Sequence, residues 1–197
     1  DGYTGEHSNT VRDLAITVGS ALGLEGRALA EVEAGALLHD VGEIGIPDAI
    51  LQCIRDGVQK VDTASLFKGN KLVLFAVPGA FTPTCSERHL PGFVEHFGSF
   101  HDKGIGVACM AVNDPFVMQA WGESQHVPEG LQMLSDGNGE FTRKLGLEMD
   151  ASAFGMGTRS KRFALYAEDG VVRELFIEAP GEFRVSSAEN VLAHLPA

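Results

Sequence analysis

The stretch Leu72-Val-Leu-Phe-Ala-Val-Pro-Gly-Ala-Phe-Thr-Pro-Thr-Cys85 decides how this chain is read. Leu72 to Val77 is a short, apolar, β-branched run, the signature of a strand buried on both faces. Pro83 suits the first turn of a helix, where its missing N–H would have had no partner anyway. With Thr82 as the N-cap and Pro83 as the first helical residue, Cys85 falls at the third helical position. Backbone N–H groups there lack intrahelical partners and the helix dipole is positive, so a thiolate is stabilised. The Thr82 hydroxyl lies on the side of the helix mouth facing the sulfur, and Pro78 walls off the turn without adding a competing N–H. A lone buried cysteine is ordinarily inert. The pattern Pro-x-x-x-Thr-x-x-Cys on a strand-to-helix turn predicts instead an activated, partly shielded thiol.

On either side of this stretch the pattern is α/β. Asp56-Gly57 is a hairpin-turn signal between strands at Ala49–Ile54 and Val58–Val61. Thr63–Phe67 predicts a short helical turn, Lys71–Val77 the central strand, and Pro83 to near His101 a helix. A second buried strand is expected at Gly106–Val112, then a helix containing Trp121, a strand at Leu131–Leu134 and a helix at Glu140–Leu145. Phe163–Ala167 and Val171–Ile177 flank a second hairpin signal, Asp169-Gly170. Ser186-Ser-Ala-Glu189 reads as a capping box that opens a terminal helix. Asp114 and Asp136 stand in turn contexts and are read as caps, Trp121 as core, and His89 as a hydrogen-bonded packing residue. The whole predicts an α/β, thioredoxin-like fold with a central mixed sheet flanked by helices.

Upstream, Val11, Leu14, Ala15, Val18 and Leu22 recur at helical spacing between a cap at Ser8 and a stop at Gly23. A second helix is expected from Arg27 to Asp40, so the chain opens with an N-terminal helical hairpin. Two helices this short cannot bury a core of their own and must lean on the α/β part or on another chain. No linker rich in Gly, Ser or Pro separates the two parts; the expected boundary divides residues 1–43 from 44–197.

The 197 residues carry a formal charge of −12, which leaves no basic excess for a nucleic acid or an anionic membrane. No run approaches the roughly 20 apolar residues of a membrane span. A cytoplasmic location is expected. Three widely spaced cysteines, Cys53, Cys85 and Cys109, do not make a secreted disulfide scaffold and suit redox chemistry in a reducing compartment.

The run Val77 to Phe93 resembles the peroxidatic loop of thioredoxin-fold peroxiredoxins, in particular the atypical or type II class of plant and animal mitochondrial members. Further similar runs are Ala111–Met118, Ala120-Trp-Gly122, Ser135–Phe141, Arg159–Phe163 and Phe183–Glu189, so the resemblance extends from residue 44 to the end. It implies a thiol peroxidase that reduces hydrogen peroxide and alkyl hydroperoxides through a sulfenic acid at Cys85, without a prosthetic cofactor. Thr82, Pro78 and Arg162 complete the implied catalytic set, with Gly79 and Arg159 as substrate-binding candidates. An external thiol, delivered by glutathione and glutaredoxin or by thioredoxin, is the implied reductant, and a homodimer the implied assembly. Cys109 corresponds to the second cysteine of the plant-type members, with one residue fewer in between; a buried strand cysteine is the alternative. Cys53 fits no motif.

Asp1–His7 and Ala36–Pro47 resemble the start of an HD-GYP domain, a family of metal-dependent phosphodiesterases. In that family the positions matching His7, His39 and Asp40 are metal ligands. The later helices and ligands of that family are missing here, and three ligands do not fill a two-metal site, so no metal centre is expected. A competing reading makes the protein a redox-sensing signalling protein whose HD-like segment binds metal or a partner.

Overall fold

The computed structural model describes residues 2–38 and 45–196. Two helices, α1 (Gly2–Ala21) and α2 (Gly26–Leu38), precede a hairpin of β1 (Ile50–Arg55) and β2 (Gly57–Asp62), which leads into α3 (Thr63–Phe67). Strand β3 (Lys71–Val77) feeds a π-helical turn, Cys85–His89, that runs into α4 (Leu90–Glu95) and α5 (Phe97–Asp102). Then come β4 (Gly106–Ala111), α6 (Pro115–Ser124), β5 (Leu131–Ser135) and α7 (Glu140–Lys144). A small pair, β6 (Glu148–Asp150) and β7 (Thr158–Ser160), precedes the long hairpin β8 (Phe163–Glu168) and β9 (Val171–Ile177) and the last helix, α8 (Ala188–His194).

Seven strands form one mixed sheet in the order β2-β1-β5-β4-β3-β8-β9. The middle position belongs to β4, so the expectation that Lys71–Val77 is the central strand is off by one place. β3, β4 and β5 run parallel, while β8 lies antiparallel to β3 and β9 antiparallel to β8. Alternation along β3 separates two cores. Val73, Phe75 and Val77 face Phe93, Trp121 and Val191 on one side, with Cys85 in that cluster. Leu72, Leu74 and Ala76 face Phe67, Phe141 and Leu165 on the other. This is a thioredoxin-like arrangement with helices on both faces of the sheet.

The register explains why distant residues meet. Antiparallel pairing of Ala76 with Phe163 sets the start of β8 beside the end of β3, so Arg162 arrives next to the loop that carries Cys85. Pairing of Phe163 with Ile177 sets Glu178 beside Arg162, and Glu178 N donates to Arg162 O at 3.0 Å. A β-bulge between Tyr166 and Ala167 separates this end of the hairpin from its Asp169-Gly170 tip.

Several local expectations are corrected. Helix α1 begins at Gly2 and runs through Ser8, since an interior serine costs a helix only a few tenths of a kcal/mol. Gly23 does end it, at φ 79°, with Leu24 N donating to Gly19 O at 3.0 Å in a Schellman closure. Leu14, Val18 and Leu22 remain exposed; α1 meets α2 through Gly19, where an added Cβ would lie 2.9 Å from Leu29. The hairpin is fastened to the rest by Arg12 Nη1 donating to Gly146 O at 2.8 Å and by an ion pair of Glu33 with Lys161. The helix after Pro83 does not continue unbroken to His101. It is π-wound over Cys85–His89, and it bends at His96, whose ring Nδ1 competes with the backbone for Gly92 O at 2.9 Å. Ser187 rather than Ser186 caps α8, accepting from Asn190 N at 3.2 Å. The sheet of β6 and β7 has too short a pattern to be seen in the sequence.

Candidate active site

Pro78, Gly79 and Ala80 leave the carboxyl end of β3, where the parallel strands open a crevice. Their loop is pinned from β4: the Asn113 side chain accepts from Ala80 N at 3.0 Å. Thr82 Oγ1 donates to Gly79 O at 2.8 Å, so its proton is committed to the loop and its lone pairs are left to accept. Ser86 N donates to Thr82 O at 3.0 Å, which closes the first helical turn as the sequence predicts.

Cys85 is completely buried and opens the π-turn, with Leu90 N donating back to Cys85 O. Such turns insert a residue into a helix and recur at functional sites. Here the turn directs Cys85 and His89 inward together, and both have no exposed surface. Trp121 Nε1 donates to Ser86 Oγ at 3.0 Å and braces the turn from α6, a bond beyond the core role expected of this residue.

Arg162 supplies the cation. Its Nη2 donates to Cys85 Sγ at 3.5 Å, and its Nη1 lies 3.0 Å from His89 Nδ1. His89 Nε2 lies 3.0 Å from Ser186 O, a group that only accepts. The ring therefore carries its proton on Nε2 and offers the Nδ1 lone pair to the guanidinium. Phe183 covers the pair, its ring 4.9 Å from that of His89 and 5.7 Å from Arg162 Cζ.

Arg159 does not reach the sulfur. Its Nε donates to Met156 O at 2.8 Å and its Nη1 to Val112 O at 2.9 Å, beside Gly79. Cys109 is wholly buried in β4 between Phe75 and Met133, and burial, together with Cys85 nearby, pushes its thiol well above the usual range. Cys53 is buried in β1. His39 and Asp40 lie outside the described residues, as does the side chain of His7. Among the described residues no three His, Cys, Asp or Glu side chains gather as metal ligands would. Asp114 caps α6 through Val117 N, and Asp136 accepts from Phe141 N and Thr142 N, as read from their turns.

A family model described as redoxin matches residues 41–192. Peroxiredoxin-2E-2, chloroplastic, of Oryza sativa subsp. japonica is 54% identical over 157 residues, which cover 76% of this chain and 70% of that one. This chain is a peroxiredoxin. Peroxiredoxin-2B of Arabidopsis thaliana is 44% identical over 158 residues, 79% of this chain and 97% of that relative. Among solved structures, reduced Prx3 of Vibrio vulnificus in complex with hydrogen peroxide has 49% identity and a TM-score of 0.74, over 76% of this chain and 95% of that one. The activity is that of a thiol peroxidase, an oxidoreductase.

In this peroxiredoxin the structure brings together the sulfur that the local sequence singles out and the arginine that the family resemblance singles out, and neither reading gives what holds them. His89 is more than packing, because it fixes one arm of Arg162. Asn113, just past the end of β4, anchors the loop, and Phe183 lids the arginine; a polar residue directly after an apolar strand was the available signal for Asn113.

The buried imidazole has a measurable consequence. Burial, and then the Arg162 charge, lower the His89 pKa from the ordinary 6.5 to about 3. Between those values the unfolded chain takes up a proton that the folded one refuses, so stability is complete above pH 6.5 and falls as the pH is lowered. The loss reaches about 2 kcal/mol by pH 5. His89→Gln, which keeps a donor and an acceptor but cannot titrate, is expected to flatten this part of the curve. Denaturant unfolding of both proteins from pH 7 to pH 5 checks it; equal slopes would contradict the assignment.

Proposed function

We propose that this peroxiredoxin reduces hydrogen peroxide and small alkyl hydroperoxides at Cys85 and is recycled by glutathione with glutaredoxin, or by thioredoxin, as a member of the type II class. The observation that carries the reading is the Arg162 fork, with one arm on Cys85 Sγ at 3.5 Å and the other on His89. A guanidinium at that distance stands ready to donate to peroxide oxygens and to stabilise the charge that develops as the O–O bond breaks. The thiolate attacks one oxygen, an S–O bond forms as the O–O bond breaks, and the departing alkoxide or hydroxide takes a proton. Thr82 Oγ1 accepts from the peroxide, and Pro78 and Gly79 wall the pocket. Arg159 acts from behind, holding Val112 and Met156 around Gly79.

Cys85 is left as a sulfenic acid. A first thiol displaces water from it to give a mixed disulfide, and a second thiol releases the free cysteine and a small disulfide. Cys109 is poorly placed for the first step, since its buried thiol resists ionisation. The Vibrio vulnificus relative was solved with hydrogen peroxide, which supports that substrate here. Phe81, Phe116 and Phe154 are exposed large apolar residues in or near segments that build the pocket, and they support pairing of two copies through this face. We assign residues 1–43 to an appended helical segment, truncated from an HD-GYP-like precursor, and the remainder to the peroxidase. A reducing, cytoplasmic setting suits the three free cysteines.

One equivalent of hydrogen peroxide, followed by dimedone or glutathione and peptide mass spectrometry, tests the reading. The expected result is a dimedone adduct, or a glutathione disulfide, on Cys85. Label confined to Cys53 or Cys109 would overturn it, and a Cys85–Cys109 disulfide would replace glutathione with internal resolution.

A further inference from the structure

Glu178 is one of the few buried charged side chains among the described residues, 7% exposed, and it lies outside the set that touches peroxide. A buried carboxylate is costly unless its acceptors are filled. Oε1 accepts from Arg184 N at 2.7 Å, from Ser186 N at 2.8 Å and from Ser186 Oγ at 2.8 Å. Three donors converging on one oxygen, charge-assisted, fix the backbone of residues 184–186. The Ser186 hydroxyl is spent here, which is why Ser187 has to cap α8.

The loop so fixed presents Ser186 O to His89 Nε2, and His89 Nδ1 in turn faces Arg162 Nη1. The backbone N–H of Glu178 meanwhile holds Arg162 O. One residue therefore grips Arg162 twice, at its main chain directly and at its guanidinium through Ser186 and His89. We propose that Glu178 is a positioning residue for Arg162, setting the His89 tautomer that aims the second arm of the fork at Cys85. The proposal rests on the peroxidase reading above. Without Glu178, Ser186 O is no longer held in place, the imidazole is free to adopt the other tautomer, and an Nδ1–H would then oppose the arginine instead of accepting from it.

Glu178→Met removes the acceptor at similar volume, whereas Glu178→Gln keeps an oxygen in its place. In E178M the rate constant with hydrogen peroxide is expected to fall on the order of tenfold or more, the usual cost of losing a partner that orients a functional side chain. The rate of iodoacetamide alkylation at Cys85, read by peptide mass, is expected to change as the fork loses its aim at the sulfur, and E178Q to recover most of the peroxide rate. A lower melting temperature with peroxide and alkylation rates unchanged would overturn the proposal. Nitrogen-15 NMR of His89 in the unmodified protein decides the matter even if E178M fails to fold: the neutral Nε2–H form is required, and the Nδ1–H form would sink the idea. A Cys85 alkylation rate that responds to E178M in a protein without peroxide turnover would sink the peroxidase reading and leave the positioning intact.

Discussion

Cys85→Ser is expected to bring peroxide consumption down to the uncatalysed rate while the protein stays folded. The substitution exchanges sulfur for oxygen at a site with no exposed surface and alters side-chain volume little, so the cluster of Phe75, Phe93 and Trp121 keeps its packing. The chemistry does not survive. Cysteine sulfur is an intrinsically strong nucleophile, whereas a serine hydroxyl holds its proton at any pH the fold tolerates. No other residue substitutes, because Cys109 is sealed within β4 and Cys53 within β1. Peroxide-dependent thiol oxidation, followed alongside circular dichroism, makes the measurement; residual turnover above a few per cent in a folded C85S protein would contradict Cys85 as the nucleophile.

Arg162→Met is expected to carry the next largest effect, a loss of about 10²–10³-fold in the rate constant with peroxide, the usual cost of deleting one preorganised donor at a site of developing charge. Methionine matches the length and apolar stem of arginine but leaves the sulfur without its cation and His89 Nδ1 without its donor. Arg162→Lys is expected to recover little. A lysine is a point donor that cannot bridge Cys85 Sγ and His89 Nδ1 at once, as the fork does. Stopped-flow consumption of hydrogen peroxide by the reduced proteins separates these outcomes. A lysine variant close to the parent would mean that charge alone matters and geometry does not.

Much of this is legible in the sequence. The strand Lys71–Val77, the Pro83 helix start and the position of Cys85 follow from apolar runs, proline chemistry and helix-terminus electrostatics, all of which act within a few residues. The nearness of Arg162 is not derivable in that way; only family resemblance brings it forward, because an antiparallel register between β3 and β8 leaves no local trace. For the same reason the partners of Glu178 and Asn113 stay invisible, although each residue stands just past an apolar strand. Ser186 is misassigned since Ser186-Ser187 offers two equivalent caps, and the buried carboxylate that chooses between them lies in another element. The winding of Cys85–His89 is a further case: an α-helix and a π-turn differ by one residue in the span of each hydrogen bond, which composition does not encode.

The bulge between Tyr166 and Ala167 has a consequence for how the gene can vary. The tip on its far side is itself tied down, with Asp169 N donating to Asn70 O at 2.9 Å, Gly69 N to Asp169 Oδ1 at 2.7 Å and Ile46 N to Gly170 O at 2.8 Å, so a change of length is absorbed best in the bulge itself. From Glu174 to Glu178 the count is rigid, because a single insertion there reverses which face each following side chain addresses and carries the Glu178 carboxylate away from residues 184–186. Length polymorphism in this hairpin is thus expected at the bulge and neither at the tip nor beside the site.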